Sequence, residues 1–139
     1  MSTVAGGLAH FVLVATPIGN LGDLSPRAVE TLASADLVAC EDTRRTGRLL
    51  AHAGVVGADL LRLDEHTEER AATEVIRHLD DGDTVALVSD AGMPGISDPG
   101  ERVVRRVVEA GHRVEVGPGP SAPVAAVAGS GLPTSRWCM

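Results

Sequence analysis

The chain has 139 residues and 44% hydrophobic content, which suits one globular domain with one core, and no apolar stretch is long enough to span a bilayer. Its net charge of −7 argues against a general nucleic-acid binder, which needs a broad basic surface. The N-terminus lacks a secretory signal pattern, and Cys40 and Cys138 have no metal-ligand or disulfide-framework spacing, so we expect a cytoplasmic protein without a metal site.

Short apolar runs alternate with segments of helical periodicity along the whole chain. In chain order, strands are predicted at residues 10–15, 36–40, 60–63, 84–88 and 113–116. Helices are predicted at residues 26–35, 44–53, 67–79, 101–110 and 122–128. Ser25 and Pro26 are the residue types of an N-cap and a first helical position. This alternation predicts an α/β fold, with an open and mostly parallel five-stranded sheet and helices on both faces.

Loops rich in glycine and proline follow the first, fourth and fifth predicted strands. They read ATPIGNLGD (15–23), SDAGMPGISDPG (89–100) and GPGPSA (117–122). Because parallel strands all point the same way, we expect these loops to converge at one edge of the sheet, where open α/β folds bind small ligands. Glycines there let backbone amides approach a ligand closely, and Asp23 or Asp90 is available for hydroxyl or ammonium contacts.

The composition of the loops disfavours two common ligand classes. The first and third loops match neither the dinucleotide pattern G-x-G-x-x-G nor the phosphate loop G-x-x-x-x-G-K-[ST]. All twelve basic residues are arginine, so the chain lacks the lysine that a phosphate loop requires. A dinucleotide or a triphosphate is therefore disfavoured, and a small ligand held by backbone groups is favoured.

One dense cluster of basic residues follows the second predicted strand, within EDTRRTGRLL. It comprises Arg44, Arg45 and Arg48, with Glu41 and Asp42 at its head. The two carboxylates are interpreted either as negative charge at a helix N-terminus or as catalytic groups. A second, looser cluster is interpreted as a solvated helix face and comprises Arg102, Arg105 and Arg106.

Four segments of the chain together resemble one protein family. They are ATPIGNLGDLSPRA, CEDTRRTGRLL, VALVSDAGMPGISDPG and VGPGPSA…SGLP. Their order and spacing are similar to those of the ribosomal RNA small-subunit methyltransferase I family, within the tetrapyrrole-methylase superfamily. The resemblance extends from Phe11 to about Trp137. It implies an enzyme that uses S-adenosylmethionine to methylate the ribose 2′-oxygen of a cytidine in 16S ribosomal RNA, within the small ribosomal subunit.

The resemblance also implies a protein larger than this chain. Members of the family have a second, C-terminal domain, form homodimers and hold the cofactor in the cleft between the two domains. We therefore expect residues 1–139 to form a single N-terminal methylase domain, with the C-terminal domain of the family absent. We expect such a domain to fold but to be catalytically inactive in isolation.

The family pattern places the cofactor on the three glycine-rich loops. The predicted cofactor-binding residues are Pro17 and Gly19 on the first loop, Asp90, Ala91, Gly92, Met93 and Ile96 on the second, and Ser121 and Ala122 on the third. Ser97 and Asp98 are predicted instead to cap the helix that starts near Pro99.

Methyl transfer to a ribose hydroxyl depends on in-line positioning and exclusion of water, and a base near the hydroxyl assists it. Asp42 and Glu41 are the predicted catalytic residues, and Glu65 and His66 are weaker candidates. For Asp42, a role as helix cap is an equal alternative. The predicted RNA-binding residues, which would contact phosphates, are Arg44, Arg45 and Arg48.

Two other functions stay open on the sequence alone. The first is a methyltransferase of the same superfamily that acts on a tetrapyrrole or on a protein side chain. The second is a non-catalytic domain that binds ligand or dimerises. The EDTRRTGRLL segment favours the ribosomal RNA branch over the first. The end of the chain at Met139 favours the second.

Overall fold

In the computed structural model, which describes residues 10–96 and 99–138, strands and helices alternate along the chain. The strands are β1 (Phe11–Val14), β2 (Leu37–Cys40), β3 (Leu60–Arg62), β4 (Val85–Leu87) and β5 (Val114–Gly117). The helices are α1 (Pro26–Ser34), α2 (Thr43–His52), α3 (Glu68–Asp80), α4 (Gly100–Glu109) and α5 (Ala122–Gly129). The predicted α/β alternation is confirmed, and the predicted ends differ by no more than one residue. The capping role predicted for Ser97 and Asp98 lies outside the described residues.

The five strands form one sheet in the order β3-β2-β4-β1-β5, and all pairings between them are parallel. Phe11 in β1 lies opposite Val85 of β4 on one side and Val114 of β5 on the other. Every residue of β1, β2 and β4 is buried, as expected of strands that helices cover on both faces. The loops that follow the strands therefore all lie at one edge of the sheet.

Successive strand residues contribute to two hydrophobic clusters on opposite faces of the sheet. Phe11 and Leu87 belong to the cluster that includes buried residues of α3 and α4. Val12 and Val88 belong to the cluster that includes buried residues of α1 and α2. Helix α5 differs from the other four, because none of its residues is buried. The core is thus a central sheet between two helix layers, with α5 outside it.

Two hydrogen bonds fix where helices begin. The Ser25 hydroxyl oxygen accepts from the Ala28 N–H at 3.0 Å, with Pro26 as the first helical residue, so the predicted cap of α1 is confirmed. Glu68, buried at the start of α3, accepts from the Arg102 N–H at 3.0 Å. This second bond joins α3 to the first turn of α4, just after the second glycine-rich loop.

Candidate functional site

The first and second glycine-rich loops are joined by backbone hydrogen bonds. Thr16 and Gly92 form an antiparallel bridge, in which each N–H donates to the other's carbonyl oxygen at 3.0 and 2.9 Å. The Thr16 hydroxyl donates to the Ser89 carbonyl oxygen at 3.3 Å. The Ser89 hydroxyl lies 3.0 Å from the Ala91 carbonyl oxygen and 3.1 Å from that of Gly92. The turn at residues 89–92 is therefore held rigidly against the loop after β1.

Gly92 is also the point where the third loop approaches the other two. Its φ of 81° lies in the left-handed region, which favours glycine. A Cβ at this position would lie 3.2 Å from Ile18 Cγ2 and 3.3 Å from the Pro120 carbonyl oxygen. Those atoms belong to the first and third loops. Because Gly92 has no side chain, the first and third loops can approach the second loop closely.

A cavity of about 330 Å³ lies between the second loop and the start of α5. We call it the α5-side cavity. It is lined by Glu41, Ser89, Asp90, Ala91, Met93, Ile96, Ser121, Ala122 and Pro123. Six of the nine residues predicted to bind the cofactor thus lie together, and Glu41, predicted to be catalytic, lies beside them. Ser121, the residue before α5, makes no side-chain capping hydrogen bond.

A second cavity, of about 460 Å³, lies between the first loop and helix α2, and we call it the α2-side cavity. It is lined by Pro17, Ile18, Gly19, Asn20, Leu21, Arg45, Thr46, Arg48, Leu49, Ser89, Asp90 and Ala91. Pro17 and Gly19, which the sequence assigns to the cofactor, lie here beside Arg45 and Arg48. Ser89, Asp90 and Ala91 border both cavities and form the wall between them.

Asp42 caps helix α2. Its Oδ1 accepts from the Arg44 N–H at 2.9 Å and from the Arg45 N–H at 3.3 Å. These two hydrogen bonds, the one from Arg45 first, hold the pKa of the Asp42 carboxyl below its ordinary value. Asp42 lines neither of the two cavities. Of the two roles considered for Asp42, helix capping and catalysis, this geometry shows helix capping.

The other acidic candidates have different surroundings. Asp90 is half-buried, and its Oδ1 is buried without a hydrogen-bond partner among the described residues. Glu65 and His66 have exposed side chains about 3.7 Å apart and border neither cavity. The geometry thus brings Glu41 and Asp90 to the cavities but leaves the weaker candidates outside.

The described residues at this edge of the sheet include neither a thiol ionised at neutral pH nor a set of metal ligands. Burial is the main cause that raises the pKa of the Cys40 thiol, so the thiol stays protonated at neutral pH. The described residues contain no group of three or more His, Cys, Asp or Glu side chains placed to hold a metal ion. Within residues 10–96 and 99–138, no helix is long and apolar enough to cross a membrane.

Comparison with known proteins identifies the family. The family model for Tetrapyrrole (Corrin/Porphyrin) Methylases matches residues 10–137. The chain belongs to this methylase family. Two structures of a uroporphyrin-III C-methyltransferase from Thermus thermophilus share its fold, one with a TM-score of 0.67 at 22% identity, covering 94% of this chain and 55% of that one.

Among curated proteins, the chain is similar to several named ribosomal RNA small subunit methyltransferase I, which confirms the resemblance that its four segments predict. The protein from Escherichia coli O157:H7 is 49% identical over 126 residues, which cover 91% of this chain and 44% of that protein. The one from Xylella fastidiosa is 53% identical over 125 residues, which cover 90% of this chain and 45% of that protein. The chain spans somewhat less than half the length of these relatives.

Sequence reasoning about the chain misses four features of the site. It does not separate the predicted cofactor residues into two cavities, and it assigns Gly92 to the ligand although Gly92 lines neither cavity. It also does not predict that, of Arg44, Arg45 and Arg48, only the last two line the α2-side cavity. It also overlooks Ser89, whose only sequence signal is its position directly after an apolar run.

Proposed function

We propose that this methylase domain serves S-adenosylmethionine-dependent methylation of ribosomal RNA, at the 2′-oxygen of a cytidine in 16S ribosomal RNA of the small subunit. The observation that carries the proposal is the pair of adjoining cavities, one lined with apolar and hydroxyl groups and the other with two arginines. The names of the relatives support ribosomal RNA as the substrate class. The activity is proposed for a protein of the relatives' full length.

The α5-side cavity is the proposed cofactor site, and its size falls within the usual range for small-molecule cavities. Met93 and Ile96 offer apolar contacts, and Ser121 and Ala122 offer a hydroxyl and the N-terminus of α5. Bound S-adenosylmethionine supplies a methyl group on a positively charged sulfur. Ala91 contributes from the wall between the cavities. Gly92 acts by holding the loops together, as its contacts indicate.

The α2-side cavity is the proposed site for the nucleotide that is methylated. Arg45 and Arg48 line it, and Arg44 is exposed on the same helix. Guanidinium groups pair well with phosphate oxygens, so these arginines would position the RNA without reading its bases. A local cluster of this kind is compatible with the acidic net charge of the chain. Pro17 and Gly19, which the family pattern assigns to the cofactor, line this cavity as well.

We propose different roles for Glu41 and Asp42, because their positions differ. Glu41 borders the α5-side cavity, beside the proposed cofactor site. The Oδ1 of Asp42 is engaged by two backbone N–H groups, so Asp42 contributes by holding the start of α2 in place. That start carries Arg45, which lines the α2-side cavity.

We propose that an exposed apolar face of the domain packs against the rest of a full-length protein and against a second copy in a homodimer. Helix α5 is apolar yet has no buried residue, and β5 is an edge strand. The exposed fractions are 50% for Val116, 56% for Val124, 70% for Leu132 and 48% for Trp137. A ribosomal substrate also places the protein in the cytoplasm.

The test compares this chain with a two-domain version, completed with the C-terminal half of a curated relative. Calorimetry with S-adenosylhomocysteine measures cofactor binding, and labelled methyl transfer to small ribosomal subunits, followed by mapping of the nucleotide, measures activity. Methylation of a cytidine 2′-oxygen by the two-domain version alone is the expected result. Transfer to a tetrapyrrole or a protein instead would establish that alternative, and binding without any transfer would indicate a ligand-binding domain.

A further inference from the structure

The wall between the two cavities contains a carboxylate oxygen that lacks a donor. Asp90 borders both cavities, and its Oδ1 is buried with no hydrogen-bond partner among the described residues. Other acidic groups nearby are satisfied; Asp42, for example, accepts from two backbone N–H groups. A buried acceptor without a donor costs free energy, and such groups require an explanation. A catalytic role is one such explanation, and Asp90 lies at the boundary of two cavities.

The residues around Asp90 are held in place by hydrogen bonds that do not use its carboxylate. The Ser89 hydroxyl lies within hydrogen-bond distance of the Ala91 and Gly92 carbonyl oxygens, and Thr16 holds both Ser89 and Gly92. No cation among residues 10–96 and 99–138 forms an ion pair with Asp90, although Arg45 and Arg48 line the same cavity. The backbone is thus fixed, while the Asp90 carboxylate takes no part in these bonds.

We infer that Asp90 is a catalytic residue, whose carboxylate accepts the proton of the ribose hydroxyl seated in the α2-side cavity. This inference rests on the proposed function. The hydroxyl oxygen forms a bond to the methyl carbon while that carbon's bond to the sulfonium sulfur breaks, and the hydroxyl proton passes to the Asp90 carboxylate. Asp90 later releases this proton to water. The uncharged thioether and the methylated ribose are the products.

Position separates Asp90 from the two carboxylates that the sequence favours. Glu41 borders the α5-side cavity but not the α2-side cavity, and Asp42 borders neither. Asp90 borders both, as a base must if it is to reach a hydroxyl in one cavity that attacks a group held in the other. A fixed base of this kind contributes through its position as well as its basicity.

The test uses Asp90→Asn, which keeps the shape of the side chain but removes its basicity, and Asp90→Glu, which restores a carboxylate. Asp59→Asn is the matched control, because Asp59 is exposed and precedes β3 at the other edge of the sheet. Thermal unfolding is measured on this chain, and calorimetry with S-adenosylhomocysteine is measured on the two-domain version. Single-turnover methyl transfer to small ribosomal subunits is measured against pH on the two-domain version.

Asp90→Asn is expected to slow methyl transfer at saturating S-adenosylmethionine by about 10²- to 10⁴-fold, far more than it weakens S-adenosylhomocysteine binding. The rise of the rate with pH should also disappear in Asp90→Asn and return in Asp90→Glu. Thermal unfolding of Asp90→Asn should occur at the same or a higher temperature, since an unsatisfied buried carboxylate oxygen is replaced by an uncharged group. A purely structural residue would give none of these pH effects.

Three results would overturn the inference. Loss of S-adenosylhomocysteine binding in Asp90→Asn would make Asp90 a cofactor ligand, as the sequence pattern assigns it. An unchanged rate and pH profile would leave it without a catalytic role, and a flat profile in Glu41→Gln instead would transfer that role to Glu41. If the unsubstituted two-domain version binds S-adenosylhomocysteine but methylates no ribosomal RNA, the proposed function itself fails, and the assignment of Asp90 fails with it.

Discussion

At the scale of single residues, Asp42 illustrates how one carboxylate can stabilise the fold beside a functional site. Its Oδ1 accepts the two backbone N–H groups that begin α2, a role in which aspartate and asparagine are both effective. The same bonds lower the pKa of its carboxyl in the folded state. A group whose pKa is lowered on folding stabilises the protein above its ordinary pKa, and this contribution is lost as the pH falls through the lowered value.

Asp42→Ala is expected to lower the free energy of unfolding near neutral pH, and the deficit relative to the unsubstituted chain should shrink in acid. Asp42→Asn should keep most of the stability, because its side-chain oxygen can still accept from Arg44 and Arg45. Urea unfolding at a series of pH values measures both effects. A deficit for Asp42→Ala that stays constant into acid would show that the charge of Asp42 is not involved.

Gly92→Ala is expected to destabilise the chain more than Gly57→Ala, its matched control. Both glycines have positive φ, at 81° and 76°, so both substitutions incur a left-handed strain of about 1–2 kcal/mol. A Cβ at Gly57 meets no atom within 4 Å, whereas one at Gly92 meets Ile18 and the Pro120 carbonyl oxygen. Chemical denaturation measures the difference.

Equal losses of stability in the two glycine variants would show that the loops tolerate the added methyl group. For the cofactor, the bulkier Gly92→Val is expected to weaken S-adenosylhomocysteine binding through displacement of the loops. Direct contact with the ligand is not required, because the Cβ direction at Gly92 faces Ile18 and Pro120.

At the scale of elements, α2 connects the cap at Asp42 to the arginines of the site. Thr46 and Leu50 are buried against the sheet, which fixes the rotation of the helix about its axis. That rotation directs Arg45 and Arg48 to the α2-side cavity, three residues apart and one turn along the same helix. The buried face of α2 therefore selects which arginines can meet a ligand.

In the two-domain version, combined Arg45→Ala and Arg48→Ala substitutions should weaken RNA binding and reduce its salt dependence. The slope of log affinity against log salt should fall by about 0.7 to 0.9 for each phosphate that the arginines no longer neutralise, and cofactor affinity should not change. The control is the pair Arg102→Ala and Arg105→Ala, on the exposed side of α4. An unchanged slope in the α2 variant would make its arginines a solvated helix face and leave the RNA to be held elsewhere.

At the scale of the whole molecule, one sheet separates two hydrophobic clusters that share its strands. Neighbouring residues of β1 and β4 alternate between the clusters, so neither helix layer can be removed without exposing the sheet. In addition to the two clusters, the domain has an exposed apolar face on α5 and β5, which lies outside both. The stability of the domain therefore depends on the sheet and its two layers.

Leu32→Ala and Leu79→Ala remove fully buried side chains from opposite layers, α1 and α3. Each is expected to lower the free energy of unfolding by about 2–5 kcal/mol. Because both layers cover the same strands, both substitutions should shift one cooperative transition, followed by circular dichroism and by tryptophan fluorescence. Val56→Ala, on an exposed loop, is the control and should have little effect. Two separate transitions would show that the layers unfold independently.

The amino-acid sequence by itself determines the elements of this protein and the edge at which its site lies. Alternation, apolar runs and caps such as Ser25 are local signals, so they predict each strand and helix to within one residue. The convergence of the three loops follows from the parallel direction of the strands, so it can be predicted without knowing the order of the strands in the sheet. The four segments that resemble a family are likewise visible in the sequence, and the match over residues 10–137 confirms them.

Only the tertiary structure decided the order β3-β2-β4-β1-β5 and the arrangement within the site. The order depends on which distant strands pair, and no local pattern encodes that choice. This order places the loop after β4 next to the loop after β1 and helix α2 on one side, and next to α5 on the other. The predicted residues are therefore divided between two cavities. The unsatisfied Oδ1 of Asp90 is a property of all its neighbours in space, so it appears only when strands distant in sequence are brought together.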